Sequence, residues 1–306
     1  MDSNAAVSSK LSVLVVSYNH EKYIGEAIES ILFQETDFPI EILIADDCST
    51  DGTPEIIHRY QAKHPGLVRV LDSQGNLGIT RNYQRGFAAC SGEYIAVLEG
   101  DDYWLNKDRL ATMVQFLDEH PECAVVFNRI LYIDEVVPNC YPLQWWSTQP
   151  YELSTGAELA SQNFIGNFSA CIYRSRLVKK VEPRFYEHKM YDWLFNLAIS
   201  RFGVIAYLPR IMSAYRQHSG GTWSAMMINQ KLESTRDLIP LYNELLQGVY
   251  APQLNTHIER LNVQIQQMNL QQQRQKHPNN PFLLAKIIFM KVLTRVKPKI
   301  KAILGR

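Results

Sequence analysis

Residues Ala96 to Leu105 read AVLEGDDYWL. The stretch begins as a buried strand and ends in the acids Glu99, Asp101 and Asp102, followed by two aromatics. Packing seldom gives an apolar strand a reason to end in carboxylates, so the acids raise the question of what they hold. Upstream, ITRNYQRGFAAC (79–90) is expected as a helix, LVRVLD (67–72) as a strand and PEIIHRYQAKH (54–64) as a helix with Pro54 near its start. IEILIADD (40–47) is a buried strand closed by Asp46 and Asp47, and CSTDGT (48–53) is a turn. EKYIGEAIESIL (21–32) places Ile24, Ile28 and Ile31 at helical spacing. Leu11–Val16 is a continuous apolar run, as in a parallel strand covered on both faces.

Downstream, KDRLATMVQFLDEH (107–120) reads as a helix and CAVVFNRILYID (123–134) as a strand. YPLQWWSTQPYE (141–152) reads as an aromatic-rich loop over the sheet edge. MYDWLFNLAISRF (190–202) has a helical pattern with Asp192 near its start, and VIAYLPRIMSAYRQHSGG (204–221) reads as a pair of strands. Alternation of strand and helix predicts a mostly parallel sheet flanked by helices. Ligands in such sheets bind at the carboxyl ends of the strands. Ser17-Tyr18-Asn19, Asp46-Asp47 and Asp101-Asp102 all fall at such ends.

The chain has 306 residues, 46% of them apolar, which is enough for a sizeable core. Lys+Arg and Asp+Glu balance at 31 each, so charge does not point to nucleic acid. Five widely spaced cysteines without a CxxC pair argue against a disulfide framework or zinc site and fit a reducing cytosol. The first apolar run is read as a strand and not a signal peptide, and no run reaches the roughly 18 apolar residues of a membrane span.

The texture changes near Ser224. Leu254, Ile258, Leu261, Ile265 and Met268 form a short heptad seam, which predicts a helix capable of self-association. Phe282–Arg306 carries seven Lys/Arg and no acid around a broad apolar side. That composition predicts a helix lying on an anionic membrane surface, each cation contributing about 1 kcal/mol.

LSVLVVSYNHEKYIGEAIESIL, EILIADDCSTDGT, NLGITRNYQRGFAACSGEYIAVLEGDDYW and YDW resemble, in order and spacing, the successive motifs of glycosyltransferase family 2. The resemblance covers roughly residues 11–225. It implies a GT-A (Rossmann-like) α/β fold over 1–225, with nucleotide-sugar binding at about 11–105 and the acceptor side at about 106–225. Residues 226–306 would form a helical C-terminal extension with the basic tail. The resemblance also implies a nucleotide-diphospho-sugar donor, a divalent metal (Mg²⁺ or Mn²⁺) and inversion at the anomeric carbon.

Carried onto this chain, it makes Asp102 the metal ligand, with Asp101 facing the ribose or completing the shell and Glu99 standing where many members have Asp. Asp47 matches a base-binding aspartate, Tyr18 an aromatic against the base, Ser17 and Asn19 their strand-end neighbours, and Arg81 a contact near the donor. Asp192 matches the general base. His218 matches a histidine that serves as a third metal ligand or diphosphate contact, with Trp223 as part of a lid. Family context implies an enzyme of surface-polysaccharide synthesis (O-antigen or capsule) acting on a glycan or lipid-linked acceptor, cytoplasmic and peripheral on the inner face of the membrane. Two alternatives stay open: an inactive nucleotide-sugar-binding scaffold, and a nucleotidyltransferase. The second wants a glycine-rich phosphate loop after the first strand, and SYNHEKYIG is not one.

Overall fold

The computed structural model describes residues 9–188, 191–221, 223 and 226–277. The basic tail 282–306 lies outside the described residues. The chain divides into two compact units, 1–224 and 225–306.

The first unit is built on one ten-stranded sheet. Its parallel half is β1 (Leu11–Ser17), β2 (Ile40–Asp46), β3 (Val68–Val70) and β4 (Tyr94–Glu99), in the order β3-β2-β1-β4. The first, second and fourth of these strands are runs of buried residues, because α1 (Ile24–Leu32), α2 (Thr53–Lys63) and α3 (Ile79–Ala89) cover the sheet. On α1, Ile24, Ala27, Ile28 and Ile31 share the buried side.

The other half is mixed. β5 (Tyr103–Trp104), α4 (Arg109–Glu119), β6 (Cys123–Asp134), β7 (Asn139–Pro142) and β8 (Glu152–Ser154) follow along the chain. Next come α5 (Gly156–Ser161), β9 (Cys171–Arg174), α6 (Ser175–Val178), α7 (Asp192–Ile199) and β10 (Val204–Gln217). The sheet continues β4-β9-β6-β10-β5, and β9 runs antiparallel to both β4 and β6. The expected strand pair over 204–221 is a single long strand: its register with β6 shifts near Val204, Leu208 and Ile211, and it does not turn back. Those irregularities let one strand bend around the edge of the sheet.

The second unit contains α8 (Ile228–Leu245) and α9 (Ala251–Lys276), which pack on each other. Leu254, Leu261 and Ile265 of the expected heptad seam are buried. Much of the apolar stripe expected to pair with a second copy is thus already sheltered within the chain. Among the described residues no helix is long and apolar enough to cross a membrane.

Candidate functional site at the strand ends

Register places the site. Ser17 pairs with Asp46 and Val16 with Glu99, so β1, β2 and β4 end at one level. The loops beyond are sewn together. Asn19, in the left-handed region at φ 56, donates its N–H to Ser49 Oγ and accepts from the Thr50 N–H, both at 2.8 Å. Asp46 closes its own turn by accepting from Ser49 N at 2.9 Å and Ser49 Oγ at 2.6 Å. Ser17 Oγ is buried without a partner, while the Tyr18 ring is 46% exposed. Arg81 is exposed in the first turn of α3.

Asp47, expected to meet a base, is 3% exposed and already employed. Its carboxylate accepts from the backbone N–H of Leu77 at 2.7 Å and of Gly78 at 2.9 Å. It is a clasp that closes the β3–α3 loop over the sheet end.

Gly100 turns the chain between β4 and the acids. A Cβ there would come within 2.8 Å of His20 Nδ1, 3.0 Å of Ile24 Cδ1 and 3.2 Å of the Val16 carbonyl, so only glycine lets α1 approach. The two acids that follow have opposite fates. Asp102 is fully buried; one oxygen accepts from Asn167 Nδ2 and Ser169 Oγ, each at 2.6 Å, and the other from the Arg216 N–H at 2.9 Å. Burial first, and then the Asp101 charge, push it up to about 7 against those three donors. The carboxylate expected to ligate a metal thus already accepts three of the protein's own donors. Asp101 is the outward-facing acid. Its Oδ2 lies 3.0 Å from His218 Nε2 and 3.8 Å from His20 Nε2. Burial acts to raise it, but the His218 hydrogen bond and the nearby His20 and His218 charges hold it below the usual range. Glu99 is pushed well above the carboxylate range by burial and by Asp102 and Asp101, while it accepts from Tyr83 OH at 2.9 Å.

β5 brings these groups together. Tyr103 and Trp104 pair antiparallel with Ala214 and Ser213, which lays Arg216–His218 beside Asp101–Asp102. Arg216 was not anticipated. It is 5% exposed, donates to the Asp101 carbonyl at 2.9 Å and Glu26 at 2.7 Å, and lies 4.8 Å from the Tyr23 and Tyr103 ring centres. The only signal for it was its i, i+2 relation to His218 on a strand. Asn167 and Ser169 had none, since they come from an irregular segment. Tyr215 was also missed: burial and then the Asp102, Glu99, Asp101 and Asp192 charges raise its phenol.

Asp192 opens α7 as its first residue. Its Oδ2 is buried without a partner. Burial pushes it up to about 6, opposed by the Trp193 N–H and the Asn163 side chain. Trp223 lies 5.3 Å from Tyr191, ring to ring, beside this acid. The groove between α8 and α9, lined by Arg236, Asn262 and Gln266, contains none of these residues.

Among the described residues no three His, Cys, Asp or Glu side chains converge as a complete metal cage. A cation held against a diphosphate needs only one or two protein ligands, because the phosphates supply the rest. The Asp101 carboxylate with the His218 imidazole fits such a partial site.

A parallel half-sheet ending in acids, joined through an antiparallel strand to a mixed half, is the GT-A arrangement of nucleotide-sugar glycosyltransferases. The chain belongs to glycosyl transferase family 2, whose profile matches residues 12–182. An uncharacterized protein of Mycobacterium tuberculosis is 38% identical over 229 residues, 74% of this chain and 64% of that protein. The chain thus spans just under two thirds of that relative's length. The poly(ribitol-phosphate) beta-N-acetylglucosaminyltransferase TarS of Staphylococcus aureus is 39% identical over 115 residues, 36% of this chain and 19% of TarS. The crystal structure of TarS 1–349 in complex with UDP-GlcNAc superposes with a TM-score of 0.60 at 24% identity, covering 82% of this chain and 73% of that one. The mannosyltransferase PcManGT from Pyrobaculum calidifontis, in complex with GDP-Man and Mn²⁺, gives 0.55 at 15% identity, covering 98% and 89%.

Proposed function

We propose that the protein is an inverting glycosyltransferase that moves a sugar from a nucleotide-diphospho-sugar, of the UDP type, to an acceptor hydroxyl. The observation that carries this is Asp192: a shielded, unpartnered carboxylate oxygen, raised to about 6, in the region that also holds Asp101. A general base works best with a pKa near the working pH, and this one is poised there.

Tyr18, Ser17 and Asn19 line the base and ribose side, and Asp47 shapes it through the loop that it clasps. Arg81 reaches toward the donor from α3. Asp101 and His218 would hold a divalent cation for the donor diphosphate, and Arg216 steadies the turn by donating to the Asp101 carbonyl. When bound, that cation neutralises the charge that develops on the leaving diphosphate. Asp192 takes the proton of the acceptor hydroxyl as its oxygen attacks the anomeric carbon from the opposite face. Tyr191 and Trp223 cover that side from water.

The UDP preference rests on TarS, the structure of which holds UDP-GlcNAc, and the metal on PcManGT, the structure of which holds Mn²⁺. TarS, a poly(ribitol-phosphate) beta-N-acetylglucosaminyltransferase, supports an acceptor on a polymer. We place the enzyme on the cytoplasmic face of the membrane, with the basic segment 282–306 as its contact.

The test is UDP release from a panel of UDP-sugars with Mn²⁺ and a mixed saccharide acceptor pool. Wild type should release UDP in an acceptor-dependent way, and Asp192→Asn should do so about 10²–10⁴-fold more slowly with unchanged UDP affinity. A variant as fast as wild type would remove Asp192 from the chemistry.

A further inference from the structure

The loop after β7 presents Trp146 at 71% exposure, the most exposed large apolar side chain among the described residues. The Arg129 guanidinium lies 5.9 Å from its ring centre. An exposed indole offers a flat apolar face that a ligand can cover.

The backbone that carries this ring is locked. Arg129 Nε donates to the Gln144 carbonyl at 3.0 Å, and Tyr207 OH to the Trp145 carbonyl at 2.7 Å. Trp145 Nε1 donates to Glu152 at 2.9 Å. The buried Gln144 side chain accepts from Ile130 N and donates to the Ile165 carbonyl, both at 2.8 Å. A ring on a fixed backbone loses little entropy on binding.

The same contacts tie the loop to the reaction site through residues 163–167. Asn163 hydrogen-bonds Asp192, and Asn167 donates to Asp102 at 2.6 Å. Between them, Ile165 is bound by Gln144 and the Phe164 ring lies 5.9 Å from Trp145. One five-residue segment therefore has the base at one end, the acid turn at the other and the tryptophan loop packed on its middle.

We propose that Trp146 is a stacking platform for the acceptor saccharide, a reading that rests on the glycosyltransferase function above. A pyranose ring has a face of C–H groups that suits the electron-rich face of an indole. Its hydroxyl edge meets Arg129 and the polar residues Ser147, Thr148 and Gln149 that follow the ring in the chain. Such neighbours fit a hydroxyl-rich ligand better than an acyl chain. The ring holds the acceptor sugar while a hydroxyl of that sugar, or of its neighbour in the glycan, reaches Asp192.

Stacking on a C–H face is tolerant of sugar identity, so the probe is a set of methyl β-pyranosides (gluco, galacto and N-acetylglucosamine), followed by saturation-transfer NMR on the full-length protein. Wild type should bind at millimolar concentration. Trp146→Ala should weaken binding by at least about tenfold, Trp146→Phe should restore part of it, and UDP affinity should stay constant across all three. Wild type that binds none of the glycosides, or Trp146→Ala that binds them equally, would overturn the proposal. So would loss of binding to phosphatidylglycerol vesicles in Trp146→Ala without any change toward the glycosides, which would assign the ring to a membrane. Glycoside binding without UDP binding would sink the donor reading and leave the platform standing.

Discussion

Two adjacent aspartates behave as different chemical species because their partners differ. Asp102 is a buried acceptor for three donors and holds the turn; Asp101 is the acid that a ligand can reach. Asp102→Asn should turn an amide N–H toward one of those donors and cost about 1–3 kcal/mol of stability, read as a lower melting temperature. Asp101→Asn should melt close to wild type. As the proposed base, Asp192 should carry the pH dependence. Its pKa is raised to about 6, and a base must be ionised, so kcat/KM should be lost as pH falls through about 6 and reach a plateau above it. In Asp192→Asn that acidic limb should vanish from the residual rate. The sequence made the acids and Asp192 visible as residue types at the right places. It could not show which of Asp101 and Asp102 faces outward, because that depends on Asn167, Ser169 and Arg216, which arrive from distant segments.

At the level of elements, the parallel half was legible because each strand is a continuous apolar run followed by an amphipathic helix. β9 and β5 were not. They are four and two residues long, shorter than any periodic signal, yet β9 sits between β4 and β6, and β5 brings His218 to Asp101. β10 was misread as two strands because Pro209 interrupts it; the sheet absorbs that interruption as a register shift. The close approach of α1 to the acid turn rests on Gly100. Gly100→Ala should cost about 1–3 kcal/mol through overpacking against His20 and the Val16 carbonyl, measured by denaturant unfolding. It should also weaken UDP binding, because the turn it displaces carries Asp101.

Across the whole molecule, the family motifs occupy one compact unit and the helices α8 and α9 the other. The heptad spacing was real, but a seam of about two repeats does not say whether its partner is another chain or a neighbouring helix. Leu261 is 4% exposed in the wild-type fold. Leu261→Ala should cost about 2–5 kcal/mol in unfolding of this unit and leave the mass by light scattering unchanged from wild type; a drop in mass would return the seam to an intermolecular role.

The proposed chemistry turns on a donor diphosphate held through a cation at Asp101 and His218. Calorimetric titration of UDP into wild type and Asp101→Asn, each with Mn²⁺ and with chelator, measures this directly. Mn²⁺ should tighten UDP binding to wild type by at least about tenfold and do nothing for Asp101→Asn. UDP affinity that is the same with Mn²⁺ and chelator, or an Asp101→Asn protein that keeps the Mn²⁺ effect, would contradict it.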